Sequence, residues 1–204
     1  SFVGLVVEEV ATDLPNEGLF THRLYAQFDN PFDQLIAIYA LSGSPLELNV
    51  GTTLYQNPAG DTFAPDISPG AETVDPNVEY DSWFTIGGDA PGSVFITSIG
   101  LTDALNEFDA GNGFYLNNFT GGMWFIIPDT EPLAFPDAQG RVLIGQFTSS
   151  GLVSVNLNLQ YKAQNGEGVQ EESLSISFPD LPSGCLDAMA CNFASGAIVE
   201  DGSC

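Results

Sequence analysis

The chain has one histidine, His22, so any Ser-His-Asp or Cys-His mechanism must pass through it. His22 sits beside Arg23 in a segment that reads as a strand, which makes a sheet position the simpler reading. Carboxylates offer the other chemistry. A pair of them suffices for glycoside hydrolysis, but 27 Asp and Glu supply such pairs by chance and single none out. Trp83, close to Asp81, could line a sugar platform. Trp124 is the only other indole, and most aromatics are phenylalanines inside apolar runs, which marks them as core. Asn118-Phe119-Thr120 fits a glycosylation acceptor, one that a bacterial chain would leave unused.

Hard oxygen ligands of the kind calcium takes gather in two places. Asp129, Glu131 and Asp137 lie within nine residues of a proline-broken acidic loop, and Asp187, Asn192 and Asp201 lie among the last 20 residues. Neither group has the dense D-x-D-x-DG core of an EF-hand, so solvated charge and turn formation compete with Ca2+ at both. Cys185, Cys191 and Cys204 share the same last 20 residues. With no histidine nearby they match no common structural zinc spacing, and disulfide use is favoured. Either Cys185 or Cys191 can close onto Cys204. The odd count, with Cys204 as final residue, points to a chain that continues, and Ser1 to a processed or excised start.

Three Lys and Arg against 27 Asp and Glu give a formal charge of −24. Phosphate backbones and anionic membrane surfaces would be repelled, which disfavours nucleic acid as a partner. No run approaches the roughly 18 apolar residues that span a bilayer, so membrane insertion is not expected either. Divalent cations are natural counterions for such a chain. Its 204 residues, 44% of them hydrophobic, suffice for one β domain with an appendage.

The elements that position these residues are strands. From Arg141 to Tyr161 two apolar runs flank Ser149-Ser150-Gly151, the pattern of a β-hairpin. In its second run Val153, Val155, Leu157, Leu159 and Tyr161 alternate with Ser154, Asn156, Asn158 and Gln160. The latter form an uncharged outward row on a strongly acidic chain, which predicts a face that contacts another module or subunit. Phe2 to Val10 reads as a strand ending in a turn at Thr12 to Asn16. His22 to Phe28 and Gln34 to Leu41 read as a second hairpin. Leu46 to Tyr55 is a weaker strand, and Tyr80 to Ile86 and Ser93 to Ile99 flank a Gly-rich loop. Met123 to Ile127 reads as a strand covered on both sides, and Leu174 to Phe178 as the last strand. One helix is expected, capped by Thr102 and stopped at Gly111. Short strands with Gly and Pro turns predict an all-β fold, an antiparallel β-sandwich or jelly-roll-like domain over residues 1–178. A linker at 179–184 and a small Cys-rich tail at 185–204, a candidate Ca2+-binding repeat, complete the division.

The tail, Gly184 to Cys204, reads GCLDAMACNFASGAIVEDGSC. It resembles the Cys- and Asp-rich GC-x-D-x-x-ACN-[FY]…DGSC repeat of secreted surface proteins of marine Bacteroidota and other marine microbes. Cys185, Asp187, Ala190 to Phe193, Ala197 and Asp201 to Cys204 carry the match; Ala188 replaces a common proline. The phrases around Trp83 and around Phe135 to Leu143 are similar to the β domain that accompanies such repeats. The resemblance implies an extracellular or cell-surface, multidomain protein whose units serve adhesins, filaments or surface layers, with no enzymatic activity. The expected function is therefore a non-catalytic structural or adhesion module, meeting neighbouring modules, copies of itself or glycans. A carbohydrate-binding module is the first alternative and a carboxylate-dependent glycoside hydrolase the second.

Overall fold

The computed structural model describes residues 1–10, 18–179, 183–195, 199–200 and 203–204. The expected turn at Thr12 to Asn16, the linker residues Asp180 to Pro182, and Ala197 and Asp201 lie outside them. Two antiparallel sheets face each other as a β-sandwich. The first holds β1 (Phe2–Val10), β2 (Phe20–Phe28), β9 (Arg141–Ser149) and β5 (Trp83–Phe84), in that order. The second holds β6 (Thr97–Ile99), β8 (Gly122–Phe125), β3 (Gln34–Ala40), β10 (Val153–Lys162), β4 (Leu46–Val50) and β7 (Phe114–Leu116). The seventh strand of that sheet, β11 (Gly168–Phe178), pairs along the other edge of β10. On its first edge β10 meets two strands in succession: Asn158 to Lys162 pair with β3, and Val153 to Asn156 with β4.

The long strands fall where alternation places them. Of the expected 80–86 and 93–99 strands only Trp83–Phe84 and Thr97–Ile99 form, Leu46 to Tyr55 is a strand only to Val50, and β7 is unexpected. The two expected hairpins do not form. β9 and β10 lie in different sheets, and so do β2 and β3. A period of two states which side chains face inward, not which strand lies alongside. β9 already has β2 on one edge and β5 on the other, while β10 has β11 opposite β3 and β4. The chain therefore crosses between layers at Ser149 to Leu152, where Gly51 N–H donates to Leu152 O at 2.7 Å and Gly151 N–H to Ser149 Oγ at 3.1 Å. The inward sets of the two strands meet across the core instead of side by side.

That core contains Leu24, Ile38, Phe84, Phe108, Trp124, Phe147, Leu157 and Leu159. Phe84 is its hub, with ring centroids 4.3 Å from Phe108, 4.8 Å from Trp124 and 5.6 Å from Phe147. β8 is open on one side, contrary to the doubly covered strand expected: Met123 and Ile127 are 36% and 56% exposed while Trp124 and Ile126 are buried. The predicted helix is present as α2 (Thr102–Asp109), which follows α1 (Ala71–Val74), a short turn in the acidic loop. Leu101, not Thr102, is the N-cap of α2, with no side-chain bond. Gly111 ends it at φ +80°, where a Cβ would stand 2.8 Å from Leu54 O.

The tail has its own small framework. β12 (Ser183–Gly184) pairs in parallel with β13 (Val199–Glu200), so the last linker residues belong to the tail sheet. A disulfide joins Cys185 to Cys204, with Cα atoms 4.9 Å apart, and Cys191 is free and exposed.

Candidate functional site

The outer face of the seven-stranded sheet carries a set of polar groups that are uncharged except for Glu47. Strand register puts Asn156 opposite Ser175 on β11 and opposite Glu47 on β4, and Glu47 opposite Tyr115 on β7. Directly opposed residues point to one side of a sheet. Ser175, Asn156, Glu47 and Tyr115 thus form a ladder across four strands. A second row sets Asn49 and Ser177 on either side of Ser154, and Ser154 Oγ lies 2.8 Å from Ser177 Oγ. These side chains, without Tyr115, line a shallow groove of about 430 Å3. Tyr115 stands at the end of the ladder, 61% exposed, and its Oη accepts from Asn117 Nδ2 at 2.9 Å. Asn156 Oδ1 is shielded from water and has no hydrogen-bond donor.

Asn158 departs from the expected row. It lies where β3 gives way to β4, and its Nδ2 donates to Tyr39 O at 2.9 Å, Ser44 O at 2.9 Å and Pro45 O at 3.2 Å. Its Oδ1 accepts from Ser173 N–H at 2.8 Å, where Ser173 adopts φ +57° within a β11 irregularity. The side chain is fully buried and its bonding capacity is used inside the sheet, so it is unavailable to a partner. Beside it, Tyr39 Oη donates to Glu172 Oε1 at 3.2 Å, and burial with the Glu172 charge pushes the phenol up to about 12. Gln160 remains half-buried on the same face, opposite Ala37. The expected row therefore divides: Ser154 and Asn156 line the groove, and Asn158 joins strands.

Two of the acidic loop residues, Asp129 and Asp137, are paired with the chain's cations. Asp129 Oδ2 accepts from Lys162 Nζ at 2.5 Å. Asp137 Oδ1 caps the backbone N–H groups of Gln139 and Arg141, and its Oδ2 lies 3.4 Å from Arg141 Nη2. At Glu131 it is the backbone carbonyl that accepts from Gln34 Nε2 at 3.1 Å. Among the described residues no three His, Cys, Asp or Glu side chains converge as a metal-ligand set. In the tail, Asp187 Oδ1 accepts from Met189 N–H at 2.8 Å, and Asn192 Nδ2 donates to Ser203 O at 2.7 Å. The first closes a local turn and the second ties the middle of the tail to its end.

Other expected positions prove internal. Trp83 is 3% exposed, packed with Tyr25, Ala64 and Leu143 under the Arg23 guanidinium 5.5 Å from its ring, so it offers no sugar platform. His22 is buried against Phe178 at 5.3 Å, and loss of solvent holds its pKa below the usual value, opposed by the charge of Glu9. Asp81 is fully buried, its carboxylate accepting from Asn57 N–H at 2.7 Å and Asp61 N–H at 3.2 Å. Burial pushes it up to about 7 despite those bonds. Sequence alone missed Glu47, Asn49, Tyr115, Ser175 and Ser177, because only strand pairing brings them to Asn156. No family model, curated protein or solved structure matches the chain.

Proposed function

We propose that the chain is a non-catalytic structural or adhesion module of a secreted, multidomain cell-surface or filament protein. It works through contacts with neighbouring modules, copies of the same protein, or glycans. The observation that carries this reading is the Cys185–Cys204 disulfide, which closes a tail too small to bury a core of its own. Disulfides persist in oxidising surroundings, and the tail resembles a repeat of secreted surface proteins. The deep burial of His22 and Trp83 also favours structural roles for the residues most suited to catalysis or stacking. Protein isolated from its native source tests the reading. Peptide mapping without reduction is expected to recover Cys185 linked to Cys204, from protein outside the cytoplasm. Three free thiols in that material would overturn the extracellular assignment.

A further inference from the structure

We infer that the ladder Ser175, Asn156, Glu47 and Tyr115 is a binding site for a neutral, hydroxyl-rich polysaccharide. The inference rests on the adhesion reading and specifies its partner. Four adjacent strands span about 14 Å, a length over which successive groups of an extended chain can be met. The groove offers amides, hydroxyls and one carboxylate, which together bond groups that both donate and accept. Sugar hydroxyls are such groups.

Asn156 supplies the sharper argument. A shielded acceptor without a donor is unfavourable, and a donor brought by a ligand would satisfy it. Asn156 is half-buried and lines the groove. Tyr115 adds an exposed ring on which the apolar face of a sugar can rest.

Charge selects among occupants. The chain carries −24, and its three Lys and Arg are each paired with carboxylates and none lines the groove, so an anionic polymer is repelled. A two-fold contact centred on the ladder would bring Glu47 near its counterpart, placing like charges together. A neutral glycan meets neither penalty.

The test uses the full chain and insoluble β-1,4-glucan, β-1,3-glucan, β-1,4-mannan and chitin, with a sulfated galactan and a polyuronate as charged arms. Bound protein, released soluble sugar and self-association are measured. Retention on at least one neutral polymer is expected, and Tyr115→Ala and Asn156→Ala should each weaken it about tenfold. Asn156→Ala should leave the melting temperature unchanged or raised, because the lost oxygen has no partner; a purely structural asparagine would lower it. The inference is overturned by no retention on any neutral polymer, by retention indifferent to both variants, or by preference for the charged polymers. Self-association lost in the same variants, without glycan retention, would assign the face to a second copy instead. Sugar release lost with retention would support the site but overturn the non-catalytic reading.

Discussion

At Asn158 one side-chain amide meets Tyr39, Ser44, Pro45 and Ser173, joining β10 to both strands on one edge and to β11 on the other. Asn158→Ala leaves buried carbonyls and an N–H without partners, and we predict a loss of about 2–4 kcal/mol in urea unfolding. An unchanged midpoint would remove this role. Two buried titratable groups set opposite pH limbs. His22 has a depressed pKa, so its contribution is present above the ordinary histidine range and lost as pH falls. Asp81, raised to about 7, favours the fold below its ordinary range, and that contribution, roughly 4 kcal/mol, is lost as pH rises through 7. Asp81→Asn should flatten the decline in stability between about pH 4 and 7, and His22→Gln the acid-side decline; unchanged pH profiles would contradict both assignments. Alternation revealed that Asn158 faces away from the apolar set, but its burial depends on the β3–β4 break, which no local pattern announces.

The long strands, the α2 helix and its Gly111 stop were legible because each follows from local periodicity and turn chemistry, whereas the two- and three-residue strands β5, β6 and β7 are too short to show a period. Pairing was not. Ser149-Ser150-Gly151 between two apolar runs suits a hairpin or a crossing between sheets equally well, and occupied edges decide in favour of the crossing. The same ambiguity concealed the ladder, whose members come from four strands separated in sequence. Trp83 illustrates a related limit: an indole near an aspartate reads the same whether Arg23 covers it or solvent does. The tail was legible as disulfide-bonded, whereas the choice of Cys185 over Cys191 needed coordinates. Closing this 19-residue separation is worth about 3 kcal/mol to the tail, while the main core contains no cysteine. Mild reduction should raise the thiol count from one to three per chain and open the tail to proteolysis without shifting the main melting transition. A main transition that falls with reduction would show that the sandwich depends on the tail.

The whole molecule carries its charge almost unopposed, since Arg23, Arg141 and Lys162 are already committed to Asp89, to Glu8 and Asp137, and to Asp129. Self-repulsion should weaken as ions screen it, and divalent ions should do so best. We predict that chelation lowers the melting temperature at fixed ionic strength and that calcium restores it; an unchanged temperature would remove calcium from the account. Acidity and the all-β class were readable from composition and alternation, because each is a property of the chain rather than of its packing. The adhesion claim itself is tested most directly on living cells of the source organism, with monovalent antibody fragments raised against this chain. Labelling of intact, unpermeabilised cells or their filaments, together with reduced attachment when the fragments are bound, is the predicted result. Labelling that appears only after permeabilisation, with attachment unaffected, would contradict it.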